Sequence, residues 1–283
     1  MRELEVVEAG ALMTVQDLGR PGFAHLGVPR SGAVDTRSLT LANRLVGNDE
    51  DAAGLETTLT GVVLRFESAT TIAVTGASCV VAVAGRDVAW GEPVSVPAGS
   101  MVRVGVASRG LRSYVAVAGG IDVPLVLGSR STDVLSGLGP KPLRPGDRLP
   151  IGAVVGRPAG VDTPPAFREL SEIRLRLGPR DDWFDPASIA RLDGATYVVG
   201  SSSNRIGIRL EGTPLDRRRD GELPSEGIVL GAVQVPPSGQ PLIFLADHPT
   251  TGGYPVLGVV ASADLPGCGQ LRPGDAVTLR LVG

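Results

Sequence analysis

The sequence predicts a mainly β protein built from two similar domains. Short Val- and Ala-rich runs, cut by Gly or Pro, recur through both halves, and their spacing of roughly 8–12 residues is typical of β-barrels or sandwiches. Two runs, IRLRLG and VTLRLV, alternate apolar and polar residues as half-buried strands do. A diverged repeat relates the halves, because LRPGD occurs at Leu143–Asp147 and again at Leu271–Asp275, each time downstream of a similar strand-like segment.

The boundary between the domains is predicted in a Pro- and Gly-rich stretch that lacks periodicity. We expect an N-terminal β-barrel domain over residues 1–153, a linker over 154–170 and a C-terminal β-barrel domain over 171–283. Each predicted domain is long enough to bury a core of its own.

Two short helices are predicted beside the strands. Asp35 caps a helix over Thr36–Val46, which ends at Gly47 and carries one apolar stripe. The second begins at Asp185 and Pro186 and continues through ASIARLDG, because proline is favoured in the first helical turn.

Composition and charge exclude several classes of function. The net charge of −3 argues against broad nucleic-acid binding, which needs a basic face. No apolar run reaches the ~18 residues that a membrane span requires, and the charged N-terminus lacks the apolar core of a signal peptide. We therefore expect a cytoplasmic protein that binds neither nucleic acid nor membrane.

The cysteines and the single lysine argue against further kinds of site. Cys79 lies in an apolar run and is expected to be buried, whereas Cys268 is expected in a loop, and neither has metal-ligand spacing. No metal site is predicted. Lys141 is the only lysine, and its proline-flanked context matches neither a phosphate-binding loop nor the Met-Lys-Met hairpin that carries covalent biotin. We expect no covalent biotin on this chain.

The first candidate site is the loop that begins at Thr14. Glycines and prolines interrupt it throughout, so it is a shaped loop of the kind that often carries a site. Its candidate polar residues are Gln16, Asp17, Arg20, His25 and Ser31.

The second half contributes three more polar clusters. In ADHPTTGGYP, consecutive glycines can form an anion-binding concavity beside two threonine hydroxyls. SSSNRIGIRL supplies an arginine that can clamp a carboxylate or phosphate, and LPSEGIVLGAVQ supplies a glutamate that can act as a general base if partly buried. The candidates are Arg205, Glu226, Gln234, Asp247, Thr250, Thr251, Gly252, Gly253 and Tyr254. A Ser-His-Asp hydrolase is disfavoured, because GxSxG and βαβ alternation are both absent.

Together these segments resemble the allophanate hydrolase subunit 2 family, which includes the C subunit of 5-oxoprolinase, the Kip-type antagonist and part of the carboxyltransferase region of urea carboxylase. The resemblance runs from about Leu4 to Leu281 and rests on TVQDLGRPGFAHLGVPRSGAVD, LANRLVGNDEDAAGLE, AVAGGIDVPLVLGSRST, NRIGIRLEG, LPSEGIVLGAVQVPPSGQPLIFLADHPTTGGYP and SADLPGCGQLRPGD. Two segments depart from the family pattern. His248 and Val256 replace an arginine and a lysine around TTGGYP, and Asn204 and Ile208 replace an aspartate and a tyrosine around Arg205.

The resemblance implies two tandem cyclophilin-like β-barrels, a smaller partner subunit and a third subunit in a system that opens 5-oxoproline, a small amide, with ATP. The ATP, with Mg, binds this chain, its partner or their interface, and the chain alone is expected to be inactive. We expect Asp17, Arg20, Glu226 and Asp247 to be catalytic and the other candidates to bind substrate. The alternatives are a carboxyltransferase component of a biotin-dependent urea carboxylase or allophanate hydrolase-type system, and a non-enzymatic Kip-like regulator that binds a kinase inhibitor.

Overall fold

The computed structural model of the chain describes residues 2–160, 166–219, 221 and 223–283. It divides into two compact units, the first formed by Met1–Arg20 and Ser31–Arg168, the second by Pro21–Arg30 and Glu169–Gly283. The predicted linker includes residues 161–165, which lie outside the described residues, so its bounds stay a prediction.

In the first unit the strands form two sheets. The strands are β1 (Glu3–Glu8), β2 (Met13–Gln16), β3 (Gly54–Thr58), β4 (Val62–Phe66), β5 (Thr70–Ser78), β6 (Val81–Val83), β7 (Arg86–Val88), β8 (Val94–Val96), β9 (Met101–Val104), β10 (Arg109–Val117) and β11 (Arg148–Pro150). A six-stranded sheet has the order β11-β1-β4-β9-β6-β7 and a five-stranded sheet the order β2-β3-β10-β5-β8.

Both sheets of the first unit pack against one apolar core. Leu4 and Leu64 come from the six-stranded sheet, whereas Val15, Leu55 and Val115 come from the five-stranded one, and all five are almost fully buried in the same cluster. The chain changes sheets between β1 and β2, where Gly10 has a φ of +63°. Two sheets around one core are one of the two arrangements, barrel or sandwich, that the strand spacing predicts.

The second unit contains the closed barrel that the sequence predicts. Its strands are β12 (Glu172–Leu177), β13 (Thr196–Val199), β14 (Gly207–Glu211), β15 (Glu226–Gly227), β16 (Ala232–Gln234), β17 (Leu242–Phe244), β18 (Thr251–Gly252), β19 (Val256–Val260) and β20 (Ala276–Val282). Seven of them close in the order β12-β19-β16-β17-β14-β13-β20, and β15 pairs with β18 as a separate two-stranded ribbon. In β12, Ile173 and Leu175 are buried and the arginines beside them are exposed, as the alternation predicts.

The helices form where the capping signals predict them. In the first unit, α1 (Thr36–Val46) begins where the Asp35 side chain accepts from the Ser38 amide, and it ends at Gly47, which has a left-handed φ. Its buried stripe includes Leu39, Ala42, Leu45 and Val46. In the second unit, α2 (Pro186–Leu192) is capped by Asp185, and the short α3 (Leu265–Cys268) follows β19. Few helices on a mainly β framework confirm the predicted fold class.

The LRPGD repeat folds into the same turn in both units. The aspartate carboxylate of each copy accepts from the arginine amide three residues earlier, at 2.7 Å for Asp147 and 2.7 Å for Asp275. The glycine before it has a φ of +93° in one copy and +92° in the other. Each turn leads directly into a strand, so the repeat marks an equivalent structural position.

The two cysteines reverse the predicted environments. Cys268 is fully buried in α3, where burial raises the pKa of its thiol to about 12, whereas Cys79 is only half-buried. Cys79 lies in the turn between β5 and β6, and its neighbour Val80 is exposed, so the apolar run around it does not imply full burial. Among the described residues no helix is long and apolar enough to cross a membrane.

Candidate functional site

Asp17 anchors the candidate loop of the first unit. It follows β2 directly, and its carboxylate accepts from the Gly19 amide at 2.7 Å, the Ser129 hydroxyl at 2.7 Å and the Arg130 amide at 2.6 Å. The Ser131 hydroxyl donates to the same carboxylate. Four donors on one buried carboxylate hold the segment Ser129–Ser131 against the turn after β2. Its predicted catalytic role stays a prediction, and its contacts show an organising one.

Gln16 and Ser31 meet at the backbone of Thr132. The Gln16 amide nitrogen donates to the Thr132 carbonyl at 2.9 Å, and the Ser31 hydroxyl donates to the same oxygen at 3.0 Å. Gln16 and Thr132 are almost fully buried, yet Gln16 Oε1 and Thr132 Oγ1 have no hydrogen-bond partner among the described residues. Ser31 has a φ of +55°, a costly conformation for a serine, so the surrounding contacts fix its position.

Arg20 and His25 have contrasting environments. Arg20 is 1% exposed, and its guanidinium donates to the backbone carbonyls of Val126 and Ser131. His25 is exposed in a short 3-10 turn over Ala24–Leu26 within the part of the loop that belongs to the second unit. Arg20 is therefore a buried cation that shapes the loop, whereas the ring of His25 faces solvent.

A buried polar network supports the far end of this loop. Glu56 accepts from the Tyr114 hydroxyl at 2.8 Å and from the Val34 amide at 3.1 Å, and the Asp35 amide donates to the Tyr114 oxygen at 2.8 Å. Arg112 lies 3.5 Å from the other Glu56 oxygen. Burial, with the nearby negative charges, raises the pKa of Tyr114 well above its ordinary value. No local pattern in the sequence marks this network, because Glu56 on β3, Tyr114 on β10 and the segment before α1 are far apart along the chain.

Arg205 and Asp247, two candidates of the second unit, form an ion pair with each other. Nε of Arg205 lies 2.8 Å from Oδ2 of Asp247, and Nη2 lies 3.0 Å from Oδ1. The two side chains are 1% and 0% exposed. His248 is also buried, and its Nδ1 lies 2.8 Å from the Pro249 carbonyl oxygen. We call the edge of the barrel that carries Arg205 and Asp247 the Arg205 end.

The rest of the ADHPTTGGYP segment leads to the opposite end of the barrel. Gln234 pairs with both Leu242 and Val256, so the end of β16 lies beside the starts of β17 and β19. Because Asp247 follows the end of β17 and Tyr254 precedes the start of β19, the chain crosses the barrel between them. We call the edge with Gln234 and Tyr254 the Tyr254 end. The structure thus separates candidates that the sequence groups as one cluster.

Glu226 and two arginines that the sequence did not single out gather at the Tyr254 end. Both Glu226 oxygens accept from the Arg180 guanidinium, with Oε2 at 3.1 Å from Nε, and this contact lowers the pKa of Glu226. Arg217 donates from Nη2 to the Val235 carbonyl at 2.8 Å and lies 5.9 Å from the centroid of the Tyr254 ring. The Gln234 amide donates to the Tyr254 carbonyl at 3.0 Å.

Gly252 and Gly253 lie at a strand ribbon, and the anion-binding role that the sequence suggests for them stays a prediction. Neither has a positive φ, and Gly252 pairs with Glu226 in the β15–β18 ribbon, next to the pair of Thr251 with Gly227. A Cβ on Gly252 would lie 2.7 Å from the Gln234 amide nitrogen, so a larger residue would displace that side chain from its hydrogen bond to the Tyr254 carbonyl. The Thr250 carbonyl accepts an amide hydrogen bond from Ile228, which extends the ribbon.

Among the described residues, the N-termini of the two longer helices are not open to a phosphate. The N-termini of α1 and α2, where amides bind anions most readily, are closed by Asp35 and Asp185. Within the part of the chain that the structure describes, no three His, Cys, Asp or Glu side chains come together as a metal site. No step is therefore assigned through ATP or Mg to the described residues of either unit, and where ATP binds stays a prediction.

Several contributors were missed in the sequence because they lie far along the chain from the residues they contact. Ser129, Ser131 and Thr132 belong to LGSRST, a hydroxyl-rich run after a glycine, and that composition was the available signal. Arg180 and Arg217 each lie in a polar loop that resembles any solvated segment, so their sequence context held no signal.

Comparison with known proteins places the chain in a family. The family model described as "Carboxyltransferase domain, subdomain A and B" matches residues 26–281. The chain belongs to this carboxyltransferase domain family. The match confirms the resemblance inferred from the sequence motifs.

Members of the carboxyltransferase domain family that resemble this chain differ greatly in length. The C subunit of 5-oxoprolinase from Escherichia coli is 40% identical over 97% of this chain, which covers 89% of that protein. A urea amidolyase of Lachancea kluyveri is 35% identical over 96% of this chain, which covers only 16% of that protein. The crystal structure of the urea amidolyase of K. lactis superposes with a TM-score of 0.93 at 33% identity, over 99% of this chain and 19% of that one.

Proposed function

We propose that this chain is a cytoplasmic subunit of an ATP-dependent hydrolase that opens 5-oxoproline, a five-membered cyclic amide. It works with a smaller partner subunit and a third subunit and is inactive alone. The observation that carries the proposal is the near end-to-end match with the C subunit of a 5-oxoprolinase, in contrast to the small share of the urea amidolyases that the chain spans. ATP, with Mg, is the energy source of the whole assembly and binds the partner or the interface with it.

The contribution of this chain to such a reaction is substrate binding and orientation. Opening an amide needs hydrogen-bond donors for the carbonyl oxygen and an acceptor that orients the attacking water or the departing nitrogen. At the Tyr254 end, Thr251 and Tyr254 are exposed donors, and the half-exposed Glu226 is an acceptor. Because Arg180 lowers the pKa of Glu226, that carboxylate stays ionised at neutral pH.

The other predicted catalytic groups suit a supporting role in this proposal. Asp17 and Asp247 are buried and engaged by several donors, and Arg205 is paired with Asp247. Groups held in this way fix loops in place, and they exchange protons with a substrate less readily than an exposed carboxylate. Gln16, Ser31 and Arg20 likewise shape the loop after β2.

Reconstitution with the partner subunits tests the proposal. The chain is co-expressed with the smaller and third subunits of a 5-oxoprolinase system, and ATP hydrolysis is measured with and without 5-oxoproline. We expect hydrolysis that depends on 5-oxoproline and on all three subunits, and Glu226→Gln is expected to lower kcat by at least about tenfold. A complex that assembles but hydrolyses no ATP above background would contradict the proposal.

A second candidate function is supported by the match to urea amidolyases over almost the whole chain. In this alternative the chain is the carboxyltransferase component of a biotin-dependent system that acts on urea or a similar amide. Biotin then arrives on another protein, since Lys141 has no carrier context. Loss of activity of the native complex on adding avidin would favour this alternative, and indifference to avidin would exclude it.

A further inference from the structure

Arg217 differs from the other arginines near it at the Tyr254 end. Arg180, Arg191 and Arg219 each pair with a carboxylate, namely Glu226, Asp216 and Asp182. Arg217 has no carboxylate within ion-pair distance among the described residues, and its one hydrogen bond there is to the Val235 carbonyl. Its positive charge is therefore not neutralised by the part of the chain that the structure describes.

Partial burial makes this charge costly, since the described residues give it no counter-charge. Arg217 is half-buried, and its Nε is shielded from solvent without a hydrogen-bond partner among the described residues. A buried donor that loses water and gains no partner destabilises the folded state, and more so when it is charged. An anion beside the guanidinium would offset this cost, so the site is electrostatically prepared for one.

The backbone around Arg217 holds the guanidinium in a defined place. Arg217 forms an antiparallel bridge with Phe184, and the amide of Arg218 donates to the Trp183 carbonyl at 2.8 Å. The guanidinium lies over the Tyr254 ring, a favourable cation–π geometry. Tyr254 is 41% exposed, and its hydroxyl makes no hydrogen bond to a described residue. A fixed cation and an available hydroxyl donor thus lie side by side.

We propose that Arg217 and Tyr254 form a subsite for a small carboxylate. The ligand's identity rests on the proposed function, because 5-oxoproline carries one carboxylate on the ring carbon next to its amide nitrogen. Arg217 binds that carboxylate through its fork of donors, and the Tyr254 hydroxyl donates to the same group. The scissile amide then lies near the β15–β18 ribbon and Glu226. Around TTGGYP, this chain has His248 and Val256 in place of the arginine and the lysine of the family pattern. Arg217 supplies a positive charge beside Tyr254 of that segment.

Steady-state kinetics of the reconstituted complex test the subsite. The variants are Arg217→Gln and Arg217→Lys, with Arg218→Gln as a matched control, since Arg218 is an exposed neighbour with no side-chain partner among the described residues. We expect Arg217→Gln to raise the KM for 5-oxoproline by about tenfold to a hundredfold with a smaller change in kcat. Arg217→Lys is expected to be intermediate, because it keeps the charge and loses the fork. Thermal unfolding of each variant reports whether it folds.

A neutral analogue separates charge recognition from a general loss of activity. The carboxamide of 5-oxoproline lacks the negative charge, so we expect its KM to be the same for the wild type and Arg217→Gln. An unchanged KM for 5-oxoproline in a folded Arg217→Gln complex would overturn the subsite and leave the proposed function intact. Equal losses for both compounds would overturn it as well, because they would indicate a structural role.

If the complex shows no turnover, the proposed function is refuted, and the subsite is then tested by direct binding. Calorimetric titration of the full chain with 5-oxoproline and, separately, inorganic phosphate would then be compared between Arg217→Gln and Arg218→Gln. Binding of 5-oxoproline that only Arg217→Gln abolishes would support the subsite. Binding of phosphate alone, or of neither compound, would overturn the assignment to a carboxylate.

Discussion

Arg205 and Asp247 are joined by two parallel hydrogen bonds of 3.0 and 2.8 Å while almost completely excluded from solvent. Two residues that the sequence marks as separate site candidates therefore neutralise each other. Their backbones are joined as well, because the Asp247 amide donates to the Arg205 carbonyl at 3.1 Å. The pair links the loop before β14 to the loop after β17 at the Arg205 end of the barrel.

Removing one member of this pair is predicted to destabilise the protein strongly. Asp247→Asn removes the negative charge from a buried two-bond contact with the Arg205 guanidinium, and we expect the free energy of unfolding to fall by about 3–5 kcal/mol. Urea denaturation measures this change. The double variant Arg205→Met with Asp247→Leu is expected to recover part of the loss, because both buried charges of this pair are then removed together. A loss below about 1 kcal/mol for Asp247→Asn would contradict the prediction.

Asp17 is predicted to contribute more to stability than either serine that donates to it. Asp17→Ala removes an acceptor from four donors at once, so we expect a loss of at least about 3 kcal/mol, against about 1 kcal/mol for Ser129→Ala. Chemical denaturation of the two variants gives the comparison. Equal losses would show that the carboxylate does not organise the loop, and would restore proton transfer as its leading role.

Gly252 and Gly253 are predicted to respond differently to alanine. Neither has a left-handed φ, so packing alone distinguishes them. A Cβ on Gly252 meets the Gln234 amide nitrogen at 2.7 Å, whereas the nearest atom for Gly253 is the Leu223 carbonyl oxygen at 3.4 Å. We expect Gly252→Ala to cost about 1–3 kcal/mol and Gly253→Ala to be tolerated. The reverse order in thermal unfolding would show that backbone freedom matters more than packing here.

The Arg180–Glu226 pair is predicted to make stability depend on pH. Arg180 lowers the pKa of Glu226 in the folded state, so the contribution of this pair is present above the unfolded-state pKa and is lost as the pH falls through the folded-state pKa. We expect Arg180→Gln to have a lower Tm than the wild type at neutral pH, with a difference that shrinks in acid. Arg218→Gln is the control and is expected to match the wild type throughout. A difference that grows in acid would contradict the prediction.

Local signals predicted the elements of this fold well. The caps Asp35 and Asp185 and the alternation in IRLRLG are properties of a few neighbouring residues, and each appears in the structure as predicted. The burial predicted for Cys79 and the loop predicted for Cys268 were wrong, since both depend on what packs against a segment. Most contacts of the candidate site could not be predicted from neighbouring residues in the sequence. Asp17 contacts Ser129, and Arg180 contacts Glu226, across long stretches of chain.

The sequence by itself determined that the chain is mainly β, that it carries a repeat, and that it belongs with the carboxyltransferase family, because strand periodicity, turn residues and motifs are all local in the chain. Only the tertiary structure decided that the first unit is a two-sheet sandwich and the second a closed barrel. It also separated Asp247 from Tyr254 and brought Arg217 beside the Tyr254 ring. Strand pairing and side-chain contacts join residues that are distant in sequence, and neither composition nor spacing encodes which of them meet.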